Sequence, residues 1–373
     1  MPEIWLKYGG THIVLDIRFE NLLKHFSSNL DLLVDEEIKS KLGGVEIIEN
    51  TLILATEGSK SVANAIDKLL DINTSIDSSK IYIRTFPKYV ESLRTNIANK
   101  NYSVEKLQLE QFDTIIKKFQ KILVVSHTKY DPLFGYSGSP TALLRYFYPN
   151  RMTEAFNSRT TNLPTTGKRG PPLDIALSAF SETEAEAIEL VSNSHGISAI
   201  FHNSIIKAFS GAVDFLSKIS EAEEEISCSS AIISASDEEG PHETLLTSLS
   251  SLWNSIHLVK RNGTAVLLAE NIKGIGDGAL LNYVEGRIEL QNAIAGNIYV
   301  EGLEHLLYLH ELKSQYDLGI MSTIPHHYLA QKLGLYPYAG SKEVVQRLVE
   351  KHGRTHKILV ISDADTIFIR SKQ

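Results

Sequence analysis

Short apolar runs alternate with helix-length amphipathic stretches along nearly the whole chain, and this alternation constrains the fold more than any other feature. Residues 52–55, 122–126, 231–234, 265–269, 318–321 and 358–361 are apolar almost throughout, the pattern of strands covered on both faces. Further strands are expected at 4–8, 12–17, 80–84, 175–179, 199–202 and 366–369, the first two bracketing Gly9-Gly10 as a hairpin. Helical periodicity predicts helices over 61–70, 104–119, 182–192, 212–225, 243–258, 303–314 and 342–352. Ser181 and Glu184 have the spacing of a capping box at the start of 182–192. Strands alternating with helices predict an α/β protein, with mainly parallel sheets in two α/β domains facing a central cleft.

The length of 373 residues supports two domains. The acidic run 221–225 followed by Ser227-Cys228-Ser229-Ser230 marks a junction. It divides the chain into residues 1–225 and 226–355. The formal charge is −8, which argues against a nucleic-acid partner, since phosphate backbones need a basic face. No apolar run has the length of a membrane span, and the N-terminus lacks the pattern of a signal peptide. The single cysteine, Cys228, excludes an internal disulfide. A cytoplasmic protein is the simplest expectation.

Residues 121–147, KILVVSHTKYDPLFGYSGSPTALLRYF, carry the main chemical signal. A strand runs through a Gly/Ser loop into a helix starting near Pro140. Unpaired N–H groups at such a helix start can receive an anion, so Ser137, Gly138, Ser139 and Thr141 are candidate ligand-binding residues. His127 ends the strand, where ligands of open parallel sheets bind, and with Asp131 it is a candidate catalytic residue. Two other readings of the loop stand. Gly135 to Ser139 falls one residue short of the G-x-S-x-G elbow of serine hydrolases, with Ser137 as nucleophile, or the loop is a turn that packs two elements closely.

Weaker signals lie elsewhere. Gly274 and Gly276 sit in a loop between a strand and a helix, a context for phosphate or carboxylate binding. The stretch 148–172 is polar, basic and without apolar periodicity, and is expected to be a loop over the cleft or a plain surface loop. Its Lys168 and Arg169 either close over an anionic ligand or form a solvated turn. His326-His327, with Asp131 or Asp237, offer a metal site, although adjacent side chains diverge and a helix-capping role is simpler. His305 and His310 lie five apart on one helix and point to different faces; His202, inside a strand, reads as a buried, hydrogen-bonded residue.

The segment Asp131-Pro132-Leu133-Phe134-Gly135-Tyr136-Ser137-Gly138-Ser139-Pro140-Thr141 resembles the signature of the nickel-dependent lactate racemase family, whose Gly-aromatic-Ser-Gly core it shares. The opening LKYGGTHIVLDI, the strand and turn at 52–60, residues 199–211, and the stretch Val259-Lys260-Arg261-Asn262-Gly263-Thr264 through Gly274-Ile275-Gly276 follow the family in order. The resemblance implies a two-domain fold, with residues 356–373 returning to the first domain. It also implies a racemase-type isomerase acting on a small 2-hydroxy acid with a nickel pincer nucleotide. The family's histidine falls on Asp131, its cofactor-tethering lysine on Thr141 and its nickel histidine near Asn157. Lys60 is the nearest cation to the family's substrate-binding arginine, and a glutamine and lysine of the second domain fall near Thr247 and Ser250. The chain therefore reads as a divergent member that binds a 2-hydroxy acid or a similar carboxylate or phosphate anion. The alternative is a non-catalytic paralogue that senses a small anion or acts as a scaffold.

Overall fold

The computed structural model describes residues 3–28, 30–108, 111–160, 169–219, 227–235, 243–295 and 298–369. It is an α/β structure with two six-stranded sheets. The first sheet has the strand order Gly196–Ser204, Glu186–Asn193, Lys121–His127, Thr51–Ala55, Ile81–Thr85, Val104–Lys106. All neighbours are parallel except the first two. The second sheet is parallel throughout, in the order Tyr336–Tyr338, Asp317–Met321, Val259–Leu268, Cys228–Ser234, Ile358–Ile361, Leu22–Phe26. The central strands are the continuously apolar runs, because both faces of each sheet are covered, by helices and, on one face of the second sheet, also by the opening hairpin. Every residue of Thr51–Ala55 and of Ile358–Ile361 is buried.

On one face of the first sheet, Ile53, Val62, Ile66, Leu123 and Leu190 form a local core. The opposite face joins a larger core that runs into the second lobe and contains Leu54, Val124, Ile233, Leu249 and Leu306 together. The two sheets therefore share apolar interior, and burial ties them in one arrangement.

Several expectations change. Residues 175–179 are helical, within Pro171–Ala179, because the paired prolines pre-set the first turn. Residues 182–192 do not form a helix: Glu186–Asn193 is an interior strand, and Ser181 Oγ donates to Ser178 O at the end of the preceding helix instead of capping a new one. Within 104–119, Val104–Lys106 is an edge strand and only Phe112–Lys118 is helical. The stretch 148–172 contains the helix Pro149–Asn157, and its residues 161–168, Lys168 among them, lie outside the described residues, as do 221–225 and Asp237.

The C-terminal strand does not return to the first sheet. Ile358–Ile361 lies in the second, between Cys228–Ser234 and Leu22–Phe26. The opening hairpin, Glu3–Tyr8 with Thr11–Asp16, packs there too, with Leu6 and Leu15 against Ile232 and Val266. Residues 366–369 form no strand. The contact with the first lobe comes from the loop that follows Ile361: Asp363 accepts from Ser194 Oγ at 2.8 Å, and Phe368 packs on Tyr136.

Candidate functional site

Both sheets reverse their strand order beside one cleft. In the first sheet the chain lays Ile81–Thr85 and Val104–Lys106 on one side of Thr51–Ala55, then places Lys121–His127 on the other. In the second, Ile358–Ile361 falls on the opposite side of Cys228–Ser234 from Val259–Leu268. At such switch points the connections after neighbouring strands diverge and leave a crevice at the carboxyl ends. Glu57, His127 and Lys129 follow the strand ends at the first switch, and Asp365 follows the second; all four line a cavity of about 570 Å³ between the lobes.

Lys129 Nζ donates to Glu57 Oε2 at 2.9 Å, and His127 Nδ1 stands 3.4 Å from Glu57 Oε1. Burial would raise the Glu57 carboxyl, but the Lys129 ammonium and His127 outweigh it and hold the group well below the usual carboxylate range. The same pairing, with Asp365 nearby, keeps Lys129 charged against the burial that opposes it. The other His127 nitrogen, Nε2, lies 3.0 Å from Ser192 Oγ. Neither Glu57 Oε1 nor His127 Nδ1 has a hydrogen bond, and the Tyr130 hydroxyl, also in the cleft lining, has no partner. Burial, Tyr308 and Asp131 push the Tyr130 phenol far up, so it stays protonated.

Arg145, on the helix Ser139–Phe147, forms a second charged cluster. Its Nη2 reaches both Asp131 oxygens at 3.1 and 2.9 Å. Nη1 reaches Glu304 at 2.9 Å and also the Tyr299 hydroxyl. Asp131 belongs to the first lobe and Glu304 to the helix Leu303–Leu312 of the second, so one guanidinium fork bridges the lobes. Near the mouth, Lys88 and Glu301 form another interlobe pair at 2.5 Å, both about half exposed. His305 also lines the cavity. Trp253 Nε1 donates to its Nδ1 at 2.9 Å, so the neutral ring carries its proton on Nε2, and burial lowers its pKa.

The structure brings some of the sequence candidates together and separates others. His127, Asp131, Ser137, Gly138 and Thr141 line the cleft, as do Thr247 and Ser250 from the helix Leu245–Ser255. Asp131 is fully engaged: besides Arg145, its Oδ1 accepts from the backbone of Leu133 and Phe134. The helix start at Ser139 already holds a carboxylate. Glu189, buried on the strand Glu186–Asn193, accepts from Ser139 N at 2.6 Å and from Thr128 Oγ1 at 2.8 Å. The cradle read from Ser137 to Thr141 is thus filled from within the chain. Desolvation pushes Glu189 up to about 7 despite these bonds. Ser137 Oγ donates to Lys129 O at 3.3 Å.

Lys60 is exposed at the start of the helix Lys60–Ile72, and Arg169 is exposed and paired with Asp174; neither lines the cleft. Gly274 and Gly276 are also outside its lining. Their loop caps the helix Leu245–Ser255, whose first amides, Leu245 N and Leu246 N, donate to Gly274 O and Ile275 O. His326 and His327 lie apart from Asp131 and the cavity, and His202 bonds Glu186 at 2.8 Å. Glu57, Lys129, Arg145 and Glu189 had no local signal. Lys129 and Arg145 lie in the segment 121–147, Glu57 and Glu189 lie far from it in the chain, and the strand order brings Glu57 to Lys129 and Glu189 to Ser139.

Neither a family model nor a curated protein sequence matches the chain. Among solved structures, the lactate racemase apoprotein from Thermoanaerobacterium thermosaccharolyticum is similar over 99% of this chain and 100% of its own, with a TM-score of 0.74 and 13% identity. A protein from Thermotoga maritima is similar over 92% of this chain and 99% of its own, with a TM-score of 0.65 and 11% identity. The chain has a lactate racemase-like fold. The nickel pincer that the sequence resemblance implies does not fit the residues present. Thr141 is buried, with its hydroxyl bonded to the backbone of Gly138. Asn157 is exposed at the end of the helix Pro149–Asn157, outside the cleft lining. Among the described residues, no group of three or more His, Cys, Asp or Glu is placed to hold a metal ion, and no helix is long and apolar enough to cross a membrane.

Proposed function

We propose that the interlobe cleft binds a small polar metabolite carrying a hydroxyl or amino group beside a carboxyl or carbonyl group, and that His127 moves a proton on it. The observation that carries this reading is the Glu57–His127–Lys129 cluster at the first switch point, whose residues line the cavity. His127 stands between Ser192 Oγ and the ionised Glu57, which stabilises the imidazolium that forms when the ring takes up a proton. His305, from the second lobe, presents an N–H donor to the same cavity. A proton carrier on one lobe and a hydrogen-bond donor on the other suit an isomerase in which His127 removes and returns the proton at carbon while His305 polarises the substrate oxygen. The fold neighbour's name, lactate racemase, points to 2-hydroxy acids as the first substrates to try.

The test is deuterium wash-in at C2, followed by NMR in D2O over a panel of hydroxy and amino acids, with wild-type protein and His127→Gln. Exchange in the wild type that His127→Gln abolishes is the expected result. Absence of exchange, together with no thermal shift for any compound, overturns the reading. A purely binding role is the second reading. It is favoured by Thr247 and Ser250, whose short hydroxyls stand in the lining contributed by the second-lobe helix. Stabilisation by a ligand without exchange would select it; a ligand at 100 times its Kd adds about 2.7 kcal/mol.

A further inference from the structure

The charges around the cleft restrict what it can hold. Its lining contains the carboxylates Glu57, Asp131, Asp277, Glu301, Glu304 and Asp365 against the cations Lys88, Lys129 and Arg145. With neutral histidines, six against three leaves a formal excess of three negative charges. Each cation already has a carboxylate partner: Lys88 has Glu301, Lys129 has Glu57, and Arg145 has both Asp131 and Glu304. The basic groups that would suit an anion lie elsewhere, since Lys60 and Arg169 are outside the lining. The helix start at Ser139 is filled by Glu189. An incoming carboxylate alone would add negative charge to a partly dehydrated acidic site, where Coulomb repulsion is weakly screened.

Two further observations point to a ligand that brings both a donor and an acceptor. Glu57 Oε1 is an ionised acceptor whose nearest donor, His127 Nδ1, stands at 3.4 Å, and Glu57 is buried. The Tyr130 hydroxyl is a donor without a partner, in a side chain only 3% exposed. Both residues line the cavity. Leaving such groups unmade is costly.

We infer that the ligand of this cleft carries an ammonium group next to its carboxyl or carbonyl oxygen, as a small amino acid does, and that a simple hydroxy-acid anion is the poorer ligand. The ammonium group meets the acidic side at Glu57 and Asp365, and the oxygen accepts from Tyr130. This rests on the cleft being a small-molecule site, and the test separates the two claims.

Calorimetric titration of the full chain at pH 7 is run with pairs that differ only at C2: alanine and lactate, aspartate and malate, serine and glycerate. The amino member of each pair binds about tenfold more tightly or better. Glu57→Gln removes most of that preference. Asp277→Asn, at the exposed rim, lowers it about twofold and leaves the fold untouched. Hydroxy acids that bind as tightly as their amino partners overturn the inference while leaving the cleft as a small-molecule site. No heat and no thermal shift with any of the six compounds overturns both.

Discussion

Glu189 is a buried carboxylate held by two hydrogen bonds and no cation, and it makes a quantitative prediction about pH. Desolvation raises it from its ordinary 4.5 to about 7. Between those values the folded chain binds more protons at this site than the unfolded chain does. Stability contributed here is therefore fully present below about pH 4.5, declines as pH rises through 7, and is level above. The difference of about 2.5 units corresponds to about 3 kcal/mol at 1.36 kcal/mol per unit. Glu189→Gln removes the titration and keeps the geometry, because the amide oxygen still accepts from Ser139 N and its NH2 donates to Thr128 Oγ1. Urea denaturation of wild type and variant between pH 4.5 and 8 is the assay. The variant gains about 3 kcal/mol on the wild type across that range. Taking the difference cancels other titrations, including that of Glu57, whose lowered pKa makes stability fall as pH drops below the usual carboxylate range. A difference that stays flat to within about 0.5 kcal/mol would refute the argument that burial dominates at this site.

Two other substitutions probe the same region. Arg145→Met leaves Asp131 and Glu304 buried without their cation and costs about 3–5 kcal/mol in denaturant titration; Arg145→Lys recovers only part of this, since one ammonium cannot serve both carboxylates, and a loss below about 1 kcal/mol for the methionine variant would show that the bridge contributes little. Gly138→Ala places a Cβ 2.5 Å from Phe209 Cδ2 and 3.0 Å from Glu189 Oε2. Its backbone is extended, so the cost of about 1–3 kcal/mol is overpacking against the phenyl ring, and Phe209→Leu in the same chain should restore most of it.

How much could be read in the sequence follows from what is local. The interior parallel strands were legible because burial on both faces leaves an uninterrupted apolar run, as in Thr51–Ala55. His127 was legible as a cleft residue because it ends such a strand. Residues 175–179 and 182–192 exchanged their expected states because short apolar runs fit either geometry, and the serine that looked like a cap belonged to the helix before it. The helix start at Ser139 was legible, but its carboxylate was not. Glu189 is 50 residues further on and reaches it only because its strand pairs with Lys121–His127. The same holds for Lys129 and Glu57, 72 residues apart.

The placement of Leu22–Phe26 beside Ile358–Ile361 has a consequence for synthesis. His25 and Ser362, which hydrogen-bond at 2.7 Å, are 337 residues apart. On a ribosome the first of these strands emerges long before its sheet neighbour. In between, every strand of the other sheet leaves the exit tunnel and can find its partners. Translation thus delivers one lobe ready to fold while the other waits with an open backbone edge. A nascent chain that stops short of residue 358 leaves Cys228–Ser234 and Leu22–Phe26 each without the strand that joins them.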